Sequence, residues 1–564
     1  MMKSFFLGLV FFALCWQTVF SQSAKTVSQL PTGEPFKIAR GSSFSASSSN
    51  AKKTPANDYN ITRDFVEALE IIKKNHVAGK SVNYQELTKS SISAMLRTLD
   101  PHSNYFDETE YAELLDDQRS EYFGIGSTIA NYRENSNYET FVISTFPDSP
   151  AARAGLRYGD KFIAVDGIKV SGKSSAYVRD LVRGKRGTSV RITIERFDTR
   201  KIESIELKRN RVPSPSIPDA YLLRQNIGYV DLSEGFNYTT IDEFNAVLAE
   251  LKSQGMTSLI LDLRDNPGGV LEQSVRLAEK FIPRGQTIVS QRGRFAIDNR
   301  VWKSDNRNPE NFPLVVLVNE NSASASEIVA GALQDYDRAL IVGENTFGKG
   351  LIQSVINLPF NSGLTLTTAR YYTPSGRSIQ RDYENGNLYD YYIHKNQNLP
   401  DDKLRKPAKT ITGRTIYGGN GITPDELEKS VQFNRDESEL LDPVFLFTRN
   451  VVAGRIRNFE NLRVTTPVKF GQRISSGNFP VTDEMFEAFK DFVKRNYKNI
   501  STDSLEKEKA FIVERLRYNL ATANFGIIAS KQVLVETDPQ VSKAVQSLPR
   551  AKQLAQSANN LRKN

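Results

Sequence analysis

A pattern of short apolar runs alternating with helical spacing constrains the fold of this chain more than any other feature. The runs and the helical stretches that separate them cover residues 258–263, 270–282, 313–318, 327–336 and 339–342. Strands that alternate with helices form parallel sheets with right-handed crossovers, and such sheets bind ligands beyond the carboxyl ends of their strands. The sequence therefore predicts an α/β core with a crevice at that edge.

The turns at this edge carry the candidate catalytic residues. A glycine turn, 264–269 (RDNPGG), follows the first strand, and a serine turn, 322–327 (SASASE), follows the second. A serine at a strand-to-helix junction lies beside N–H groups that the first helical turn leaves unpaired, and these would stabilise developing negative charge. Helix capping is the ordinary role of such a serine. Because the turn holds three serines, both roles are open.

A nucleophilic serine needs a base, and the chain has only three histidines, His76, His102 and His394. The pattern around each histidine favours a cap or surface position over a catalytic base. Lys349 lies between two glycines directly after the third strand, where burial would lower the pKa of its amine and make the neutral form a usable base. The residues thus favour a Ser–Lys dyad.

The same segment comes close to a phosphate-binding loop, with Gly343 five residues before Gly348 and Lys349. A phosphate-binding loop has Ser or Thr after the lysine and then a helix. Here Gly350 follows the lysine, and 351–358 alternates like a strand. A nucleotide site is therefore disfavoured.

The amino-terminal residues predict export. Lys3 precedes an apolar run, 5–16, that is too short to span a bilayer as a helix, and Ser21 suits signal-peptidase cleavage. The single cysteine, Cys15, lies inside this segment, and the chain has no HExxH motif. We therefore expect a mature chain without thiol chemistry, metal ions or other cofactors, and without a transmembrane span once the signal is removed.

Length and charge bound the remaining choices. At about 150 residues per domain, 564 residues make three or four folding units. The 74 basic and 65 acidic residues leave a net charge of +9, a modest excess for this length that requires no acidic partner. Nucleic-acid binding is not expected.

A β-rich stretch over residues 120–200 precedes the α/β core. It holds the loop Phe123, Gly124, Ile125 and Gly126, and the segment 159–167 (GDKFIAVDG). The order of its elements resembles a PDZ domain of the kind found in secreted proteases. The resemblance implies that N–H groups of the 123–126 loop bind the terminal carboxylate of a peptide that adds to the sheet as an edge strand. An ordinary hairpin domain, in which the glycines only make turns, is the alternative.

From about residue 99 to 425 the chain resembles the carboxy-terminal processing peptidases, also called tail-specific proteases. Seven segments carry this resemblance in order: 99–103 (LDPHS), the PDZ stretch, 263–269 (LRDNPGG), 322–328 (SASASEI), 343–353 (GENTFGKGLIQ), 371–376 (YYTPSG) and 421–425 (GITPD). It implies an α/β multidomain protein with a β-rich PDZ domain and a ClpP/crotonase-like protease core between helical terminal regions.

The resemblance also assigns roles to residues of this chain. It makes Ser324 the nucleophile, Lys349 the base and Gln353 the residue that orients the amine. The backbone N–H groups of Gly269 and Ala325 become the oxyanion donors. Asp335 matches a family aspartate, for which a structural role is equally open.

The expected domain boundaries follow from these segments. They are a signal peptide over 1–21, a serine-rich linker over 22–57, a helical region over 58–118, a PDZ domain over 119–203, a protease core over 204–430 and a helical extension over 431–564. In the extension, amphipathic helices after Thr482 and over 505–520 favour core packing, while dimerisation or an adaptor stays open. Residues 541–564 hold five basic and no acidic residues and read as a solvated tail.

Together these features predict an exported serine endopeptidase that recognises protein or peptide substrates by free, apolar carboxyl termini. A PDZ scaffold that binds such termini without cutting them is the alternative function. The periplasm is the favoured destination, and release outside the cell stays open.

Overall fold

The structure, a computed structural model, describes residues 58–79, 81–119, 121–134, 137–383, 391–392, 406–475 and 477–563. The predicted signal peptide and linker lie outside the described residues, as does His394. No helix within the described ranges is both long and apolar enough to cross a membrane.

The described chain begins with a helical region. Its elements are α1 (Asp58–Asn75), α2 (Tyr84–Arg97), β1 (Asn104–Phe106) and α3 (Glu108–Gln118). Asn83 caps α2, because its side-chain oxygen accepts the N–H groups of Gln85 and Glu86 at 3.1 and 3.3 Å.

The predicted PDZ region folds as an antiparallel sheet with two short helices. Its elements are β2 (Glu121–Gly124), β3 (Ser127–Glu134), β4 (Asn137–Thr145), α4 (Pro150–Arg153), β5 (Lys161–Val165), β6 (Ile168–Lys169), α5 (Ser175–Val182), β7 (Ser189–Glu195), β8 (Ile202–Lys208) and β9 (Asn210–Pro213). The strand order is β3-β4-β5-β7-β8, with β6 beside β5, while β2 and β9 pair separately. Strand β3 therefore lies at an edge of its sheet.

The α/β core and its neighbouring hairpins follow. The elements are β10 (Asp219–Leu223), β11 (Ile227–Asp231), α6 (Thr240–Ser253), β12 (Ser258–Asp262), α7 (Leu271–Glu279), β13 (Thr287–Gly293), β14 (Arg300–Lys303), β15 (Leu314–Val318), α8 (Ala325–Asp335), β16 (Leu340–Gly343), β17 (Leu351–Asn357), β18 (Gly363–Tyr372), β19 (Pro407–Lys409), β20 (Thr415–Tyr417) and β21 (Glu426–Leu427). The predicted strands and helices of the core are confirmed to within about two residues at most ends.

Two sheets build the protease region. The first has the order β10-β11-β12-β15-β16-β21, and its strands from β11 onward are parallel. The second has the order β1-β18-β13-β14, with β17 antiparallel to β18. Because β12 and β15 end at the same edge of the first sheet, the glycine and serine turns that follow them lie side by side, as the sequence predicts.

The last helices are α9 (Arg435–Val452), α10 (Asp483–Asn496), α11 (Thr502–Lys507), α12 (Lys509–Val535) and α13 (Pro539–Lys563). The predicted helix after Thr482 is α10, and the predicted helix over 505–520 spans α11 and the start of α12. Buried apolar side chains of α9 to α12 share one core with the PDZ sheet. Tyr132 of β3 stacks on Phe445 with 3.8 Å between ring centroids. Arg449 of α9 is 0% exposed and donates to Glu134 and Glu195 at 3.3 and 3.1 Å.

The prediction of a solvated tail over 541–564 is wrong for its described residues. Helix α13 packs on the face of the first sheet opposite α7 and α8, through buried Val541, Ala544, Leu548 and Ala551. Two of its basic residues, Lys543 and Arg550, pair with Glu426, an acidic residue outside the helix. Parallel sheets are usually covered by helices on both faces, and α13 covers the face that α7 and α8 leave open.

Candidate active site

The serine turn joins β15 to α8 and puts Ser324 in a strained backbone conformation. Ser324 has φ 55° and ψ −111°, which a non-glycine residue rarely adopts. The two flanking serines fix the turn: Ser322 Oγ donates to the Leu263 carbonyl at 2.7 Å, and Ser326 Oγ donates to the Asn266 carbonyl at 3.0 Å. Because these hydroxyls are engaged, Ser324 is the serine of the turn that is left for chemistry.

The glycine turn after β12 lies directly against Ser324. A Cβ built on Gly268 would stand 2.7 Å from Ser324 Cβ and 2.9 Å from the Ala325 nitrogen, so only glycine fits there. The Gly268 N–H donates to Asn266 Oδ1 at 2.9 Å. The N–H groups of Gly269 and Ala325 have no hydrogen-bond acceptor among the described residues. Two unpaired donors therefore flank the Ser324 turn.

Lys349 follows β16 and lies in desolvated surroundings. Burial lowers the pKa of its amine to about 8, and the nearby Glu327 and Asp100 carboxylates oppose part of that shift. A lysine with this pKa is partly neutral near physiological pH, which an unperturbed lysine is not. Strand β17 follows Gly350, where a phosphate-binding loop would continue into a helix.

Glu327 links the serine turn to the lysine loop, a role that sequence reasoning missed. Its carboxylate accepts the Ser324 and Lys349 N–H groups at 2.8 and 2.9 Å, the Gly348 N–H at 2.8 Å and the Thr346 hydroxyl at 2.5 Å. Burial raises the pKa of Glu327 to about 7, and these hydrogen bonds oppose part of the shift. The signal was present, because a serine followed three residues later by glutamate is a capping-box pattern.

Tyr371 provides a second link between the same two segments. Its hydroxyl lies 2.7 Å from the Lys349 carbonyl oxygen and 3.0 Å from the Ser324 carbonyl oxygen, and it is a donor to both. Glu327 and Tyr371 together hold the two backbones in a fixed relation, which the strained Ser324 conformation requires.

One cavity of about 2220 Å³ brings the predicted residues together, and Ser324, Lys349, Gln353, Gly269 and Ala325 all line it. Ser324 Oγ and Lys349 Nζ form no hydrogen bond with each other in the described structure, and Gln353 Nε2 donates to Thr367 Oγ1 at 3.1 Å. Catalytic hydrogen bonds often tighten only when substrate is bound. The described residues contain no cluster of His, Cys, Asp and Glu suited to a metal ion.

His102 was predicted to be a cap or surface residue, and this is wrong. Its Nε2 lies 2.8 Å from the Tyr391 hydroxyl, and its ring packs edge-on against Phe347, two residues before Lys349. Burial lowers the pKa of His102 well below its usual value, and the charges of Lys349 and Arg381 lower it further. A neutral His102 therefore adds no positive charge beside the lysine. By contrast, His76 is exposed, as predicted.

Asp335 does not line the cavity and is held by buried polar contacts. It pairs with Arg377 at 2.8 Å, and both side chains are 2% exposed. Its other oxygen accepts the Ser375 N–H at 2.8 Å. Of the two roles left open for Asp335, these contacts favour the structural one.

Residues 123–126, the predicted peptide-binding loop of the PDZ region, do not line this cavity, although Arg183 and Gly184 of the same region do. Phe123 and Gly124 end β2, and the carbonyl of Ile125 accepts the Ala151 N–H at 2.8 Å. The carbonyl of Gly126 accepts the Phe146 N–H and the Ser149 hydroxyl, both at 3.0 Å. In the described chain the Ile125 and Gly126 N–H groups have no acceptor, so the loop turns its carbonyls inward and keeps donors available.

Comparison with known proteins fits this geometry. The profile of peptidase family S41 matches residues 226–391, and a PDZ domain profile matches residues 146–196. A carboxy-terminal-processing protease of Bartonella bacilliformis is 38% identical over 331 residues, which are 57% of this chain and 74% of the relative. The carboxy-terminal processing protease CtpB of Bacillus subtilis is 30% identical over 318 residues, 56% of this chain and 65% of CtpB.

A similar solved structure is a photosystem II D1 C-terminal processing protease. It is 29% identical, with a TM-score of 0.34, over 65% of this chain and 92% of the other. The family assignment rests on the sequence matches. This chain belongs to peptidase family S41, the carboxy-terminal processing proteases, and is a serine-type endopeptidase.

Proposed function

We propose that the protein cleaves polypeptides with Ser324 as nucleophile and Lys349 as general base. Neutral Lys349 accepts the Ser324 hydroxyl proton as the oxygen attacks a peptide carbonyl, and the protonated amine then gives that proton to the leaving amine. Water hydrolyses the acyl-enzyme, with Lys349 again the base. Gln353 orients the amine once substrate draws the lysine toward the serine.

The unpaired N–H groups of Gly269 and Ala325 are the proposed oxyanion donors. They flank the turn that holds Ser324, and neither has an acceptor among the described residues. Donors that are already in position need no reorganisation when negative charge develops on the carbonyl oxygen. The closeness of the glycine turn to Ser324 is the observation that carries the proposed mechanism.

The PDZ loop is the proposed selector of substrates. A free carboxylate would accept the Ile125 and Gly126 N–H groups, while the peptide extends edge strand β3. Substrates with free, apolar carboxyl termini are therefore the proposed class, and the predicted signal over 1–21 makes them exported proteins. The domain boundaries given above are part of this proposal, as is the absence of any need for a cofactor.

The test is cleavage of an unstructured protein with an apolar carboxyl terminus, followed by mass spectrometry. We expect Ser324→Ala and Lys349→Arg each to lose about 10³-fold or more in kcat/KM. Lys349→Arg is the matched variant, because it keeps the positive charge and removes the base. Cleavage at the wild-type rate by either variant would contradict the dyad. An amidated carboxyl terminus tests the PDZ loop separately, and we expect it to raise KM.

A further inference from the structure

Glu234 lies in a short segment after β11 that is attached to the glycine turn on both sides. Before it, the Leu232 carbonyl accepts the side-chain amide of Asn266 at 2.6 Å. After it, the Phe236 N–H donates to the Gly268 carbonyl at 2.7 Å. Glu234 lies midway between these two attachments and lines the cavity of the candidate active site. Its carboxylate is therefore held close to the turn that supplies one of the proposed oxyanion donors.

The carboxylate of Glu234 is incompletely hydrogen-bonded. Its Oε1 atom is buried, and no described residue donates to it. A buried acceptor without a donor costs free energy, and it costs more when the group is charged. Burial accordingly raises the pKa of Glu234 to about 7, although the charge of Lys531 opposes part of the shift. A buried acceptor that faces a cavity and has no donor is a group that a ligand can satisfy.

The charges around Glu234 are mostly negative. Lys531 of α12 is a nearby cation, but it pairs with Asp231 at 3.3 Å. Both Asp231 and Asp265 raise the pKa of Glu234 further, so both lie close enough to repel its charge. Asp265 also lines the cavity. Three carboxylates and one lysine leave these four residues with an excess of negative charge, which suits a cationic ligand.

We propose that Glu234, with Asp265 beside it, determines specificity by binding a lysine or arginine side chain of the substrate close to the scissile bond. This inference rests on the proposed function and narrows its substrates to segments with a basic residue near the cleavage site. An ammonium or guanidinium group would donate to the unsatisfied Oε1 and balance the excess negative charge. Because Glu234 is attached to the glycine turn, the basic residue should lie within about three positions of the bond that is cut, which span about 10 Å of extended chain.

The first experiment is a scan of an unstructured peptide substrate. Each residue near the scissile bond is replaced in turn by lysine and by norleucine, which has a similar length and no charge. We expect lysine to give a kcat/KM about tenfold above that of norleucine at one position, while the other positions serve as the matched control. Equal values for the two residues at every position would overturn the proposal. So would the same lysine advantage at all positions, because a general attraction to the cavity would produce it.

The second experiment removes the charge from the enzyme. Glu234→Gln keeps the shape of the side chain, and Glu272→Gln is the matched control, because Glu272 lines the same cavity and is exposed. At the sensitive position, we expect the ratio of the lysine to the norleucine kcat/KM to fall to about one in Glu234→Gln and to keep its wild-type value in Glu272→Gln. A wild-type ratio in Glu234→Gln would overturn the proposal. Because the ratio compares two peptides on one enzyme, a general loss of activity does not change it.

The pH dependence of the same ratio tests the wild-type enzyme alone, and it decides if Glu234→Gln does not fold. Glu234 is charged above its pKa of about 7, so the lysine advantage should be largest near pH 8 and should decrease as the pH is lowered through 7. The titration of Lys349 affects both peptides equally and cancels in the ratio. A ratio that stays constant between pH 8 and pH 5 would overturn the proposal.

The two hypotheses fail in different ways. If Ser324→Ala cleaves both peptides like wild type, the proposed dyad fails and this inference falls with it. If Ser324→Ala is inactive and wild type cleaves the lysine and norleucine peptides alike, the dyad stands and the Glu234 proposal alone is wrong.

Discussion

Two glycine turns each contribute to a pair of N–H groups that have no acceptor in the described chain, Gly269 with Ala325 and Ile125 with Gly126, but the two pairs would meet charges of different lifetime. Gly268 and Gly269 lie against Ser324, where a negative oxygen would exist only during reaction. Gly124 and Gly126 flank Ile125 in the PDZ region, where a substrate carboxylate would carry its charge permanently. The comparison separates stabilisation of a transition state, which sets the rate, from ground-state binding, which sets selectivity.

Among changes that test this comparison, the largest expected effect comes from breaking the active-site turn. Gly268→Ala would put a Cβ 2.7 Å from Ser324 Cβ at a φ of 101°, so the oxyanion donors and the nucleophile must separate. We expect kcat/KM to fall about 10²- to 10³-fold while peptide binding by the PDZ region is unchanged. Steady-state kinetics and a separate binding titration measure the two. Loss of binding together with rate would contradict this separation.

Lowering the pH is expected to reduce kcat/KM without reducing peptide binding by the PDZ region. The active form of Lys349 is neutral, and burial holds its pKa at about 8, so kcat/KM should fall about tenfold per pH unit below 8. A substrate carboxylate stays ionised throughout. The pH profiles of kcat/KM and of peptide binding between 6 and 9 check this, and parallel profiles would contradict it.

A smaller, selective effect is expected from Gly126→Ala. Gly126 has φ 73°, and a Cβ there would stand 2.3 Å from Ser149 Cβ, so the loop must shift its N–H groups. We expect KM to rise about tenfold for substrates with a free carboxyl terminus and to stay the same for amidated ones. Competition between the two substrates measures this ratio. An equal change for both would show a general loss of structure instead.

The smallest effect is expected at the neighbouring glycine. A Cβ on Gly124 would come closest to the ring of Tyr122, at 3.2 Å, so the ring needs to shift by only a few tenths of an ångström, and the backbone there needs no positive φ. Gly124→Ala should therefore change KM about threefold or less, well below the effect of Gly126→Ala. The same competition assay applies. An effect as large as that of Gly126→Ala would mean that the loop tolerates no side chain at all.

Much of the fold could be predicted because the strands of the core are short, apolar and bounded by turn residues. The serine turn and the lysine loop followed from the same pattern, since each comes after a buried strand, whereas the choice of Ser324 among the three serines came from the family resemblance. The environment of His102 could not be predicted, because its contacts Phe347 and Tyr391 lie more than 240 residues away in sequence. Helix α13 was missed for a related reason: alanines form much of its buried face, and its acidic partner Glu426 lies outside it.

The core that the PDZ sheet shares with helices α9 to α12 determines whether the PDZ region can be exchanged between proteins. Tyr132, Phe141 and Tyr158 of the PDZ region each contact the ring of Phe445 of α9. In this chain the PDZ region is therefore not an independent packing unit. Transplanting it, or exchanging it to retarget the protease, requires carrying those four helices along.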